Sequence, residues 1–227
     1  MKAFRMASAI CLVLVSLSIL GCDTHRKDTR VLHDGPANVL IIGDSISIGY
    51  FEPTRELLQG TAEVYHNPGN AQHTAHGLAQ LDEWLGETKW DVIHFNHGLH
   101  DLKYVDEKGR RVSPAEGKQQ IPIDDYARNL EKLARRLKKS RARLIFATTT
   151  PVPEGAQGRV PGDAKRYNDA ALAIMKKHRI PVNDLYAFAL PRLDEIQRPR
   201  DVHFTKEGSR LLAEQVAENI RAALARK

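Results

Sequence analysis

Cysteine is almost missing from this chain. Of its 227 residues only Cys11 and Cys22 carry a thiol. The body that follows therefore has neither disulfides nor a thiolate nucleophile, and its stability must come from an ordinary hydrophobic core. Long hydrophobic runs are scarce too. The one extended apolar stretch, Ala7 to Leu20, follows Lys2 and Arg5. It falls short of the roughly 20 apolar residues a membrane span needs, and its basic start suits a secretory signal. Aromatic residues make up 6% of the chain, and none interrupts its most basic stretch, "ARNLEKLARRLKKSRAR" from Ala127 to Arg143. Without aromatics for base stacking, that stretch and the net charge of +6 do not make a nucleic-acid surface. Tyr126, Leu130, Leu133, Ala134 and Leu137 recur there at helical spacing, so the charges read as the solvated face of an amphipathic helix. Asp124 and Asp125 before it and Lys138 and Lys139 near its end match the helix dipole.

The apolar run ends in "SILGCD", which resembles a bacterial lipoprotein signal. That resemblance implies cleavage before Cys22, lipid on Cys22, and an extracytoplasmic protein anchored to a membrane. Leu20 is a less common residue at its place in the motif, and a cleaved secretory signal without lipid is the alternative. The expected organisation is a signal over 1–21, a polar tether over 22–37 and a single domain over 38–227.

Past the tether, short apolar runs alternate with helical patterns. Val39–Ile42, Glu63–His66, Val92–Phe95, Leu144–Thr148 and Ile180–Val182 read as strands. Glu52–Gln59, Ala75–Leu85, Asp124–Ser140, Ala164–His178 and Lys206–Ala225 read as helices. Near-continuous apolar strands in strict alternation with helices predict an α/β fold with a parallel sheet covered on both faces. Two long polar segments, 103–122 and 151–163, follow the third and fourth strands. Ligands bind at the carboxyl ends of strands in such sheets, so long loops there are more often functional than idle. Arg110, Arg111 and Arg159 lie in these loops; they read first as residues of soluble loops and second as contacts for an acidic glycan.

The first strand runs into Gly43-Asp44-Ser45. A hydroxyl just past a strand, with a helix soon after, sits on rigid support where backbone N–H groups face a developing anion. Alone, such a tripeptide is more often a turn with a helix cap. Other strand ends add weight. "HNPGNAQHT" follows the second strand, with Gly69 free of a Cβ. "FNHGLHD" follows the third, and "RDVHFTKEG" precedes the last helix. A serine nucleophile needs a base, and the base an orienting acceptor. Ser45, His203 and Asp201 are the candidates.

The order of GDSI, NPG, GLHD, TTTPVP and DVHFT resembles the SGNH, or GDSL-type, hydrolases, over nearly all of Asn38 to Ala225. The resemblance implies a flavodoxin-like three-layer α/β/α sandwich with a five-stranded parallel sheet. It also implies ester hydrolysis, commonly of acyl or acetyl groups on carbohydrates or lipids, without metal or organic cofactor. Ser45 becomes the nucleophile, the N–H groups of Ser45 and Gly69 oxyanion donors, and His203 the base. Two departures matter. The family usually carries Gly-x-Asn-Asp where this chain has Gly98-Leu99-His100-Asp101, so His100 takes the place of a donor asparagine; Asn96 is the other candidate. The usual Asp-x-x-His places Arg200 at the acid position. Arginine accepts no hydrogen bond, leaving Asp201 or a backbone carbonyl to orient His203.

Rival readings rest on weaker patterns. His66, His73, His76, His94, His97 and His100 cluster near these motifs, but His94 falls in a strand and His97 to His100 spans a glycine turn. Neither spacing makes a helical metal pair, and His94 reads as a core residue. A non-catalytic carbohydrate-binding lipoprotein on the same scaffold is the other alternative. Trp84 and Trp90 read as packing anchors, and Asp44 and Asp101 as turn-fixing carboxylates.

Overall fold

The computed structural model describes Met1 and residues 35–226. The expected signal run, Cys22 and the expected tether as far as Asp34 lie outside the described residues. Among the rest, five strands form one parallel sheet: β1 (Ala37–Ile42), β2 (Ala62–His66), β3 (Val92–Phe95), β6 (Arg143–Ala147) and β7 (Val182–Asn183), in the order β2-β1-β3-β6-β7. Between β3 and β6 a separate two-stranded hairpin intervenes, β4 (Tyr104–Val105) and β5 (Lys118–Gln119). Strand β1 lies in the interior, its Val39 beside Val64 on one side and Val92 on the other. Val39 to Ile42 are all buried, which is why this strand is apolar throughout.

Helices α1 (Ser45–Leu57) and α7 (Lys206–Ala225) pack together, while α2 (Thr74–Leu85), α3 (Ile123–Lys139) and α4 (Asp163–His178) form a second group. This is the expected α/β/α architecture. The chain winds from β1 outward to β2 and then crosses back to β3 on the other side of β1. The crevice opened by that reversal, at the carboxyl ends of β1 and β3, is where a doubly wound sheet binds ligands.

Helix α3 buries the five-residue stripe read from its periodicity, and the last helix has the expected bounds. Helix α1 differs: it begins directly at Ser45, seven residues before the expected Glu52. Ile46, Ile48 and Gly49 are weak helix formers, but the Asp44 carboxylate caps the helix by accepting the Ile46 N–H at 2.9 Å. Gly49 also admits Ser209 of α7 at close range, since a Cβ there would press on the Ser209 hydroxyl. The fifth strand begins at Val182 and not Ile180 because Ile180 still donates to Met175 of α4 and Pro181 has no N–H to offer the sheet. Short helices α5 (Leu185–Ala189) and α6 (Leu193–Ile196), joined by a 3₁₀ turn, carry the chain from β7 back toward α7.

Candidate active site

Ser45 is the first residue of α1, directly after β1. Its Oγ lies 2.9 Å from His203 Nε2, a contact between residues 158 positions apart. His203 Nδ1 lies 2.7 Å from Asp201 Oδ1. A carboxylate only accepts, so the Nδ1 hydrogen belongs to this bond and Nε2 is left to accept the serine O–H. Such a chain can take the proton from a hydroxyl as it attacks a carbonyl. Burial raises the Asp201 carboxyl, but hydrogen bonds from the His203 ring and backbone outweigh it and hold the group below its usual range.

The loop carrying His203 is cinched at several points. The Arg198 N–H donates to the His203 carbonyl at 2.9 Å, and the Asp201 N–H to the Arg198 carbonyl at 3.1 Å. Buried Gln197 donates its side-chain amide to the carbonyls of Pro151 and Val202, at 3.0 and 3.1 Å, tying the loop to the end of β6. Thr205 caps α7 through the Gly208 N–H at 2.9 Å. Within this loop Arg200 adopts φ of +57°, a left-handed bend unusual for arginine. The bend lies in the turn that the Asp201 N–H closes on the Arg198 carbonyl, directly ahead of the acid.

Facing Ser45 across the crevice is the loop after β2. Asn67 holds it against the end of β1 by accepting the Gly43 N–H at 2.9 Å, and the Ala71 N–H donates to Gly43 O at 3.0 Å. Gly69 adopts φ of +64°, where its missing Cβ avoids strain. Among the described residues its N–H and that of Ser45 make no hydrogen bond; for Ser45 that follows from its place in the first turn of a helix. A pocket of about 380 Å³ here is lined by Ser45, His203, Asn70, His100, Lys103 and Arg159, among others. A larger groove of about 1030 Å³ opens on the other side of Ser45 and His203, toward Ile46, Pro53, Leu57 and Phe204.

The two candidate side-chain donors separate. His100 lines the smaller pocket. Burial, reinforced by the charges of Lys103 and Arg159, lowers its imidazole to about 3, so it stands neutral with one N–H to give. Asn96 does not line that pocket; its amide donates to the Ala147 carbonyl at 2.7 Å, bridging β3 and β6. Its place is structural.

Other histidines serve packing and caps. His94 is fully buried, 3.2 Å from Asn183 and edge-on to Tyr50, and burial lowers it to about 4. The His97 ring fills the space left by Gly77, where a Cβ would collide with it. His73 caps α2. His66 bonds Ser47 at 2.7 Å, but Ser47 is buried and also donates to the Asp44 carbonyl, so this second serine–histidine pair is sealed from substrate. Among the described residues no three His, Cys, Asp or Glu side chains are grouped to hold a metal ion. Asp101 fixes the start of α2 by accepting the Thr74 N–H and hydroxyl at 2.9 and 2.6 Å.

Sequence reasoning passed over Asn70, which lines the pocket with Oδ1 held by the Gln72 N–H at 2.8 Å; the signal was an amide directly after Gly69. It also misplaced Arg159. That residue is no soluble-loop arginine: it is 9% exposed and its Nε donates to the Leu99 carbonyl at 3.0 Å beside the pocket. A cation in a polar loop looks solvated until the loop is seen folding over it.

Comparison with known proteins follows the same lines. The model of the GDSL-like lipase/acylhydrolase family matches residues 41–211. No curated protein matches the chain. Among solved structures, a lipase/acylhydrolase from Enterococcus faecalis is 20% identical with a TM-score of 0.68, covering 82% of this chain and 96% of its own. The acetyl xylan esterase AlAXEase is 17% identical with a TM-score of 0.64, covering 81% and 99%. An acetyl-xylooligosaccharide esterase from Geobacillus is 19% identical with a TM-score of 0.65, covering 82% and 95%. At these identities the likeness is one of fold. The family match is broader in meaning, since it runs from within β1 into α7 and spans both Ser45 and His203. The chain belongs to the GDSL-like lipase/acylhydrolase family and is an ester hydrolase of that type.

Proposed function

We propose that Ser45 is the nucleophile of a serine esterase that removes acyl groups, acetyl in particular, from carbohydrate. The observation that carries this reading is the unbroken run of hydrogen bonds from Ser45 through His203 to Asp201, at 2.9 and 2.7 Å, beside an open pocket. In the first step Ser45 Oγ attacks the ester carbonyl while its proton passes to His203 Nε2. The oxyanion that forms accepts from the Ser45 and Gly69 N–H groups and from neutral His100. Collapse expels the alcohol, which takes the proton from His203, and leaves acyl-Ser45. Water then attacks, giving its proton to His203; the carboxylic acid departs and Ser45 regains its hydrogen. Asp201 holds the ring and offsets the imidazolium charge. Support for acetyl and carbohydrate comes from the similar structures described as an acetyl xylan esterase and an acetyl-xylooligosaccharide esterase.

The full-length protein should release p-nitrophenol from p-nitrophenyl acetate, and a fluorophosphonate should label Ser45 alone. Ser45→Ala should abolish both while retaining the wild-type circular dichroism spectrum. Undiminished turnover in that variant excludes Ser45 as nucleophile. Lipid on Cys22 is part of the same proposal, placing the enzyme at an extracytoplasmic membrane face; its support is the "SILGCD" string. Mass spectrometry of the mature N-terminus should find a diacylglyceryl cysteine, and an unmodified N-terminus elsewhere sets the anchor aside.

A further inference from the structure

The two long loops at the strand ends are joined to each other. The Tyr104 N–H donates to the Gly158 carbonyl at 2.8 Å, and Arg111 packs against Gly158 where a Cβ would displace it. Zipped together, the loops deliver three cations to the pocket beside Ser45: Lys103, Arg111 and Arg159. None of the three pairs with a carboxylate among the described residues. Among the described residues Arg111 hydrogen-bonds only the neutral Gln157 amide, at 3.1 Å, and Arg159 only the Leu99 carbonyl, at 3.0 Å.

Two carboxylates, Asp44 and Asp201, lie near enough to favour charge on Arg159 without pairing with it. Asp201 is committed to His203. Asp44, on the pocket wall, is buried, and burial raises its carboxyl toward the neutral form. The cations meanwhile oppose one another: burial first, then Arg159 and Arg111, disfavour charge on Lys103. Burial lowers Arg159 to about 10, with Arg111 adding to the fall and the charges of Asp44 and Asp201 opposing it. Like charges gathered in a half-buried pocket are destabilising unless an anion joins them. Arg110, one residue away, shows the ordinary arrangement, with its guanidinium bonded to Asp106 at 2.7 Å on the exposed hairpin.

We propose that Lys103, Arg111 and Arg159 form an anion-binding subsite beside Ser45, selecting esters that carry a carboxylate or sulfate close to the scissile carbonyl. Arginine forks suit the planar oxygen pair of such a group, and water is partly excluded here, which strengthens the contact. The proposal rests on Ser45 being the nucleophile. The anion can belong to the acyl part, as in a succinyl ester, or to the alcohol part, as in an acetylated uronic acid.

Two kinetic arms distinguish these sources. One compares monomethyl with dimethyl succinate; the other compares an O-acetylated uronic acid with its methyl ester. In at least one arm the anionic ester should have kcat/KM higher by about tenfold, the effect of one charge-assisted hydrogen bond. Arg111→Gln should erase most of that preference through KM, Arg110→Gln should not change it, and 0.5 M NaCl should weaken it. A third measurement does not need turnover: binding of monomethyl and dimethyl succinate to Ser45→Ala, followed by NMR. Preferential binding of the anion, lost with Arg111→Gln, supports the subsite even if no ester is cleaved, in which case the nucleophile assignment alone falls. Ser45-dependent hydrolysis with no preference in either arm and equal binding of the two succinates overturns the subsite and leaves the esterase standing.

Discussion

Asp201 Oδ1 accepts two hydrogen bonds from His203, one from the ring Nδ1 at 2.7 Å and one from the backbone N–H at 3.2 Å. The same oxygen thus closes a turn of the chain and orients the imidazole. Just before this acid, Arg200 takes the left-handed conformation in the turn that returns the Asp201 N–H to the Arg198 carbonyl. The usual acid position, three before the histidine, is occupied by a side chain that instead lies against Gly155.

This geometry sets the first expected outcome. Asp201→Ala removes the acceptor that fixes the tautomer, and kcat should fall by about 10²- to 10⁴-fold with KM nearly unchanged. Steady-state kinetics on p-nitrophenyl acetate measures it. A loss below threefold means that His203 is oriented without the carboxylate.

What could be read from residues alone depended on how local the physics was. Helices α3 and α7 were legible because their buried stripes recur at helical spacing. The β1 strand was legible because a segment buried on both faces has to be apolar. The start of α1 was not, since Ile46, Ile48 and Gly49 argue against a helix that capping by Asp44 and packing on α7 impose. Ser45 and His203 were legible by motif. The reach of Asp201 was not, because it hangs on the local turn from Asp201 to His203, whose backbone torsions no residue type there announces. Arg159 escaped for a third reason: its burial is created by two loops docking on each other, a tertiary fact with no local pattern.

In the proposed reaction His100 would donate to the oxyanion as a neutral imidazole, because burial, reinforced by the charges of Lys103 and Arg159, lowers it to about 3. Two outcomes follow. His100→Ala should lower kcat by about 10²-fold, the effect of losing one oxyanion donor, while His100→Asn should retain most activity. The acid limb of the kcat/KM profile should sit at the same pH in wild type and His100→Asn, since this group does not titrate in the assay range. A limb that moves with His100→Asn would show that His100 carries a charge during catalysis.

Gln197 touches no substrate in this scheme; it is a positioning residue, holding the His203 loop to Pro151. Gln197→Ala leaves two buried carbonyls without their donor and should cost about 1–3 kcal/mol of stability. A purely structural role would stop there. Positioning predicts in addition that kcat falls well below the melting temperature while KM holds, because the base no longer stays within reach of Ser45. Wild-type kcat at 20 °C in a destabilised Gln197→Ala protein would confine the residue to stability.

Burial raises the Asp101 carboxyl from 3.8 to about 7, against the opposing pull of its hydrogen bonds from Thr74. An acid raised on folding keeps its proton in the native state over a range where the unfolded chain has lost it. Native protein then binds more protons than unfolded between about pH 4 and 7, and this group's contribution to stability is full below pH 4 and declines as pH rises through 7. Asp101→Asn keeps an oxygen for the Thr74 N–H and hydroxyl and has no proton to lose. The stability of the variant relative to wild type should therefore rise with pH across that window, by at most about 1.4 kcal/mol per pH unit, and level off outside it. Urea denaturation at pH 4, 6 and 8 tests this. The comparison between the two proteins cancels His94 and His97, whose buried imidazoles titrate near 4 in both and whose influence has the opposite sign. A difference constant across the three pH values would mean that Asp101 is already ionised in the folded state at pH 4, its charge carried by the two Thr74 hydrogen bonds.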